Sequence, residues 1–102
     1  MLLPTVGRIV HYYNSDSSFW SNGSNEGPYA AIVTQVWPNA NDATECNLTV
    51  FCWTGPVSIG SISWKEIAKE KNSHHWWEWP PMKAEGPPQV RNYLVGGSAD
   101  NR

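Results

Sequence analysis

At 102 residues the chain is one domain's worth of polypeptide, and a domain this small buries a limited share of its surface, so it gains from oligomerisation, a metal or disulfides. Seven Trp, four Tyr and two Phe form an aromatic surplus that serves either a small core or a recognition surface. Seven Lys and Arg, scattered against nine Asp and Glu, exclude the basic face of a non-specific nucleic-acid binder, and no apolar run approaches the roughly 20 residues that span a bilayer.

The opening Met1-Leu2-Leu3-Pro4 lacks the charged start and long apolar stretch of a signal peptide, which predicts residence in a cytoplasm. Gly7 to Tyr13 reads as the first strand, with Ile9, His11 and Tyr13 on one face and Arg8, Val10 and Tyr12 on the other. A polar segment from Asn14 to Pro28 follows, longer than most hairpin connections, with Phe19 and Trp20 in its middle. This aromatic pair either tucks onto the sheet or faces a partner.

Tyr29 to Trp37 is the second strand, ended by the turn-forming Pro38-Asn-Ala-Asn-Asp42. The third strand, Cys46 to Cys52, places Cys46, Leu48, Val50 and Cys52 on one face. Its cysteines cannot pair, because six residues of extended chain separate them by roughly 20 Å while a disulfide tolerates about 7 Å. Nor does a Cys-x-x-Cys knuckle exist to build a zinc site with His74 and His75, so both thiols are predicted to be small apolar core groups. Trp53 to Pro56 turns the chain into Val57–Ile62, where Gly60 signals a bulge or bend.

Ser63-Trp-Lys-Glu66 has the form of a capping box and predicts a short helix to about Lys71. His74 to Trp79 is the fifth strand, stopped by Pro80-Pro81, with His75, Trp77 and Trp79 on one face and His74, Trp76 and Glu78 on the other. Beyond it the prolines at 87 and 88 and glycines at 86, 96 and 97 mark a tail, in which Tyr93 and Leu94 offer a docking arm. The expected architecture is mainly β: a strongly bent five-stranded sheet or barrel over 1–80 with one short helix, then a proline-rich tail over 81–102.

Four landmarks in order, Gly7-Arg-Ile-Val-His-Tyr12, Ala30-Ala-Ile-Val-Thr34, Asn47-Leu-Thr-Val-Phe51 and Trp77-Glu-Trp-Pro80, resemble those of short proteins encoded by tailed bacteriophages and prophages. Glu78 departs from the group's Trp-His-Trp-Pro ending, and His74 and His75 stand upstream of it. The resemblance implies a viral setting, in the host cytoplasm or the virion, and carries no activity.

The chain has no Gly-x-Ser-x-Gly elbow, phosphate-cradling glycine loop or His-Glu-x-x-His, so the sequence points to a binding protein without cofactor or catalytic residue. Arg8 beside a tryptophan would suit a flat anion such as a nucleotide, with guanidinium on phosphate and indole on base, and it can equally stack on an aromatic with no ligand. The candidate ligand-binding residues are Arg8, His11, Trp20, His75, Trp77 and Trp79, and the candidate partner-binding residues are Phe19, Tyr93 and Leu94. Expected partners are a second copy of the chain and either a small anionic ligand or a host protein. The alternative is a virion accessory protein bound to capsid components through its tail.

Overall fold

The alternation of apolar and polar residues resolves into a single antiparallel sheet in the order β4-β3-β2-β1-β5. The computed structural model describes residues 2–19 and 25–81. The strands are β1 (Ile9–Asn14), β2 (Tyr29–Val36), β3 (Cys46–Cys52), β4 (Gly55–Ile62) and β5 (His75–Glu78), with one helix, α1 (Lys65–Glu70), between β4 and β5. The sheet curls into a half-barrel. Its two outer strands approach one another at a corner, where Trp64 and Trp77 form a parallel bridge and the Trp77 N–H donates to the Ser63 carbonyl at 3.1 Å. The expected β-rich class and bent sheet are therefore present, and the predicted tail lies outside the described residues.

Period-two alternation decides what fills the concave side. Val10 and Tyr12 from β1, Tyr29, Ala31 and Val33 from β2, Cys46, Leu48 and Val50 from β3, Ile62 from β4 and Trp77 from β5 are all buried there. Each strand thus commits one face to a shared core. The bend expected at Gly60 is a bulge: Cys46 pairs with Ile62 and Leu48 with Ile59, so Asn47 stands against both Gly60 and Ser61. Asn47 Oδ1 accepts the Ser61 N–H at 2.9 Å and fixes the kink.

Gly27 is required where the long loop rejoins β2. Its φ is +133°, and a Cβ there would lie 2.7 Å from the Tyr12 carbonyl oxygen. The same loop places Phe19, on a 3-10 turn at Ser17–Phe19, edge-on to Tyr12 and Tyr29 with ring centroids 5.4 and 5.2 Å away. Of the two positions open to it, Phe19 takes the tucked one and packs, partly buried, against the core.

The capping box is not formed. The helix begins one residue later than the motif implies, with Trp64 at the N-cap and no side-chain cap. Ser63 Oγ instead donates to Asp42 Oδ2 at 2.6 Å. Asp42 is the stronger claimant, because it also accepts the Thr44 N–H at 2.9 Å and the Lys71 ammonium at 3.2 Å. Burial opposes ionisation of this carboxyl, yet the hydrogen bonds from Ser63, Thr44 and Lys71 outweigh it and hold its pKa below the ordinary carboxylate value.

Two outcomes test this packing. Burial pushes the Cys46 thiol up to about 12 and Cys52 is also buried, so a thiol reagent should modify the native protein slowly and react at once in denaturant. Replacing Trp77 with Ala should cost about 3–5 kcal/mol in denaturant melts, the range for emptying a large aromatic site.

Candidate functional site

The sequence leaves open which face of β5 turns inward, and the neighbouring strand settles it. Tyr12 pairs with Trp77 and Tyr13 with Trp76, so the inward Tyr12 carries Trp77 into the core and Trp76 to the outer side. Trp77 has no exposed surface, and its indole N–H donates to the Thr44 carbonyl at 2.8 Å. It is a core residue and not an accessible ligand anchor, which corrects the reading of Trp77 as a binding residue.

Trp79 lies beyond the strand, partly buried, with its N–H donating to the Leu2 carbonyl at 3.0 Å and its ring edge-on to Trp77. The Arg8 guanidinium sits 5.2 Å from the Trp79 ring centroid. Arg8 thus lies beside a tryptophan, with the cation resting on the indole itself. His11 is on the opposite, outer face, partly buried across from Glu78 of β5, with an Nδ1 that has no hydrogen-bond partner among the described residues. The candidate residues Trp20, Tyr93 and Leu94 lie outside the described residues.

His75 belongs to a polar chain at the inner end of β1. The Asp16 N–H donates to Asn14 Oδ1 at 2.8 Å, and Asn14 Nδ2 donates to Tyr12 Oη at 2.8 Å. The phenol proton is then directed at His75 Nδ1, 2.9 Å away. This order makes Nδ1 an acceptor and leaves the remaining imidazole proton on Nε2. Burial, then the neighbouring His74, lowers the His75 pKa below its ordinary 6.5, and burial pushes the Tyr12 hydroxyl up to about 12. His75 therefore acts as a structural acceptor, half removed from solvent.

The groove with the chemistry for an anion is elsewhere, on the outer side between α1 and β5. Lys65, Lys69, Asn72, Ser73 and Trp76 line a space of about 430 Å³, within the size range of small-molecule sites. Lys65 and Lys69 stand one helical turn apart and so project from one side of α1. Lys65 reaches Glu78 at 3.8 Å across half-exposed surface, a contact of little energy, and Lys69 has no ion pair among the described residues. Trp76 stacks on Tyr13 with centroids 5.5 Å apart and planes 8° from parallel, so one side of the indole is backed by a second ring. The sequence groups Trp76 with His74 and Glu78 without marking that face as the outer one, and it gives no sign of the lysines, because nothing in the spacing of Lys65 and Lys69 shows that α1 packs beside β5.

Ser63 is a buried serine beside a lysine, and its Oγ accepts from Lys71 Nζ at 3.0 Å. It is 5% exposed and its own proton is directed at Asp42, so the trio ties elements together. Among the described residues no three His, Cys, Asp or Glu side chains converge as a metal site, and no helix is long and apolar enough to cross a membrane.

The depressed His75 pKa sets a pH dependence. The unfolded chain takes up this proton at about 6.5 and the native state resists it, so the contribution of His75 is complete above that pH and is lost as pH falls below it. Thermal melts should show a falling Tm from about pH 7 to about pH 5, and His75→Gln, which keeps an acceptor for Tyr12, should flatten that slope.

The chain matches no protein-family model, and neither the curated proteins nor the solved structures contain a detectable match to it.

Proposed function

We propose that the chain is a non-enzymatic binding protein that holds a small, flat anion of the nucleotide type in the groove between α1 and β5. One observation carries this reading: two lysines on one side of a helix share a groove with a tryptophan whose ring is braced from behind. Ammonium groups supply charge for phosphate, and an indole held rigid by a stacked neighbour offers a π-face to a base without the cost of ordering a free side chain. The phage-like landmarks supply a setting, in which such a protein withdraws a signalling nucleotide inside the infected host. Arg8 is better suited to bracing Trp79 than to holding the phosphate.

Titration calorimetry with adenosine diphosphate, adenosine and inorganic phosphate separates the two halves of the site. The diphosphate should bind more tightly than either fragment. Trp76→Ala and Lys69→Glu should each weaken it about tenfold, in line with the loss of one stacked base or one phosphate contact, while leaving the melting curve close to wild type. A chain that binds no nucleotide, or that binds equally well without Trp76, defeats the proposal. Recovery of the protein by mass spectrometry from purified virions at stoichiometric amounts would favour a virion component instead.

A further inference from the structure

The outer edge of β4 is exposed, and its hydrogen-bonding pattern can be derived from one residue. Pro56 has no N–H, so its pair with Phe51 must be of the non-hydrogen-bonded kind. Alternation then makes Val50 with Val57 and Leu48 with Ile59 the hydrogen-bonded pairs, and Thr49 with Ser58 again non-bonded. The N–H and C=O of Ser58 therefore point away from β3, into space that no described strand occupies. Edges of this kind are kept from pairing by a charge, by proline or by a bulge, and in β4 the proline and the bulge stand at the two ends of the Val57–Ile59 stretch and leave Ser58 between them open. β4 reads Gly-Pro-Val-Ser-Ile-Gly-Ser-Ile, without a charged residue anywhere in it.

We propose that this edge is the dimerisation surface, and that β4 pairs antiparallel with β4 of a second copy about a two-fold axis at Ser58. The occupant is identified by the strand's own symmetry. Centring the pairing on Ser58 sets Val57 of each copy opposite Ile59 of the other, and both side chains lie on the concave face where Val57 is 37% exposed and Ile59 only partly buried. Pro56 then falls opposite Gly60, which can still donate to the Pro56 carbonyl. The bulge at Gly60 and Ser61 ends the ladder at that point, so the added pairing has a defined length. With no charge on either strand, two identical edges meet without repulsion. The antiparallel run also carries the hairpin tip, where Trp53 is 79% exposed, alongside the far end of the other copy's β4. A self-complementary patch of this form closes as a dimer and does not propagate.

Three variants of the full chain test the surface by multi-angle light scattering and circular dichroism. The wild type should be a dimer, twice 11.5 kDa, at micromolar concentration. Ser58→Cys should crosslink under mild oxidation, because directly opposed residues of a hydrogen-bonded antiparallel pair lie about 5.5 Å apart, within disulfide reach. Ser58→Pro, which deletes the outward donor and leaves the β3 ladder intact, should weaken association at least about tenfold with the strand signal retained. Ser58→Lys should do likewise through two like charges in apposition. A monomeric wild type overturns the proposal, as does a dimer that persists in Ser58→Pro and in which Ser58→Cys does not crosslink. The nucleotide groove lies on α1 and β5, so a monomeric Ser58→Pro that still binds adenosine diphosphate would separate the fate of this inference from that of the ligand reading.

Discussion

The half-barrel depends on how its open corner is held. A curled sheet of five strands leaves its outer strands unpaired on one side, and here the burial of one tryptophan joins them. Trp77 donates its backbone N–H to Ser63 at the end of β4 and its indole N–H to Thr44 ahead of β3, so a single residue of β5 reaches two segments that precede it. Asp42 secures the far side of the same corner by accepting from Thr44, Ser63 and Lys71, which tie the turn before β3 to both ends of the helical segment. Apolar burial supplies the driving force, and these hydrogen bonds specify which edges meet.

Filling the concave side so completely constrains function. A curved sheet often encloses its ligand, but here Tyr12, Tyr29, Leu48, Ile62 and Trp77 occupy the interior with little or no exposed surface. The surface left open to solvent is therefore that of the convex side and the strand edges. The surplus of aromatic residues divides accordingly: Tyr12, Tyr29, Phe19 and Trp77 belong to the core, Trp79 lies under Arg8, and Tyr13, Trp76 and Trp53 remain outside.

Much of the fold is legible in the sequence because alternation is a strong signal in short strands. Cys46 to Cys52 reads correctly to the residue, Gly60 marks its bulge, and Pro80-Pro81 ends β5. The inward face of β5 is not legible, since both faces carry aromatic residues and only the register with β1 chooses between them. The misreading at Ser63 has a similar origin: local capping chemistry competes with a carboxylate 21 residues earlier in the chain, and charge-assisted hydrogen bonding wins. The lysine groove was hidden for the same reason, because it arises where a helix and a strand meet and neither segment alone carries a motif.

The polar chain through Asn14 also bears on the chemical ageing of the protein. An asparagine followed by serine is open to deamidation when the next backbone nitrogen attacks the side-chain carbonyl, releasing ammonia. In this fold the Ser15 nitrogen is turned to the His74 carbonyl at 2.8 Å, the Asn14 carbonyl oxygen is held by Asp16, and the residue is 4% exposed. The attacking atom and its target are thus both engaged, and water is kept away. The loss would be severe if it occurred, since a carboxylate at this position has no proton to give the Tyr12 oxygen. The arrangement that orients the phenol therefore also preserves the covalent identity of the amide on which that orientation rests.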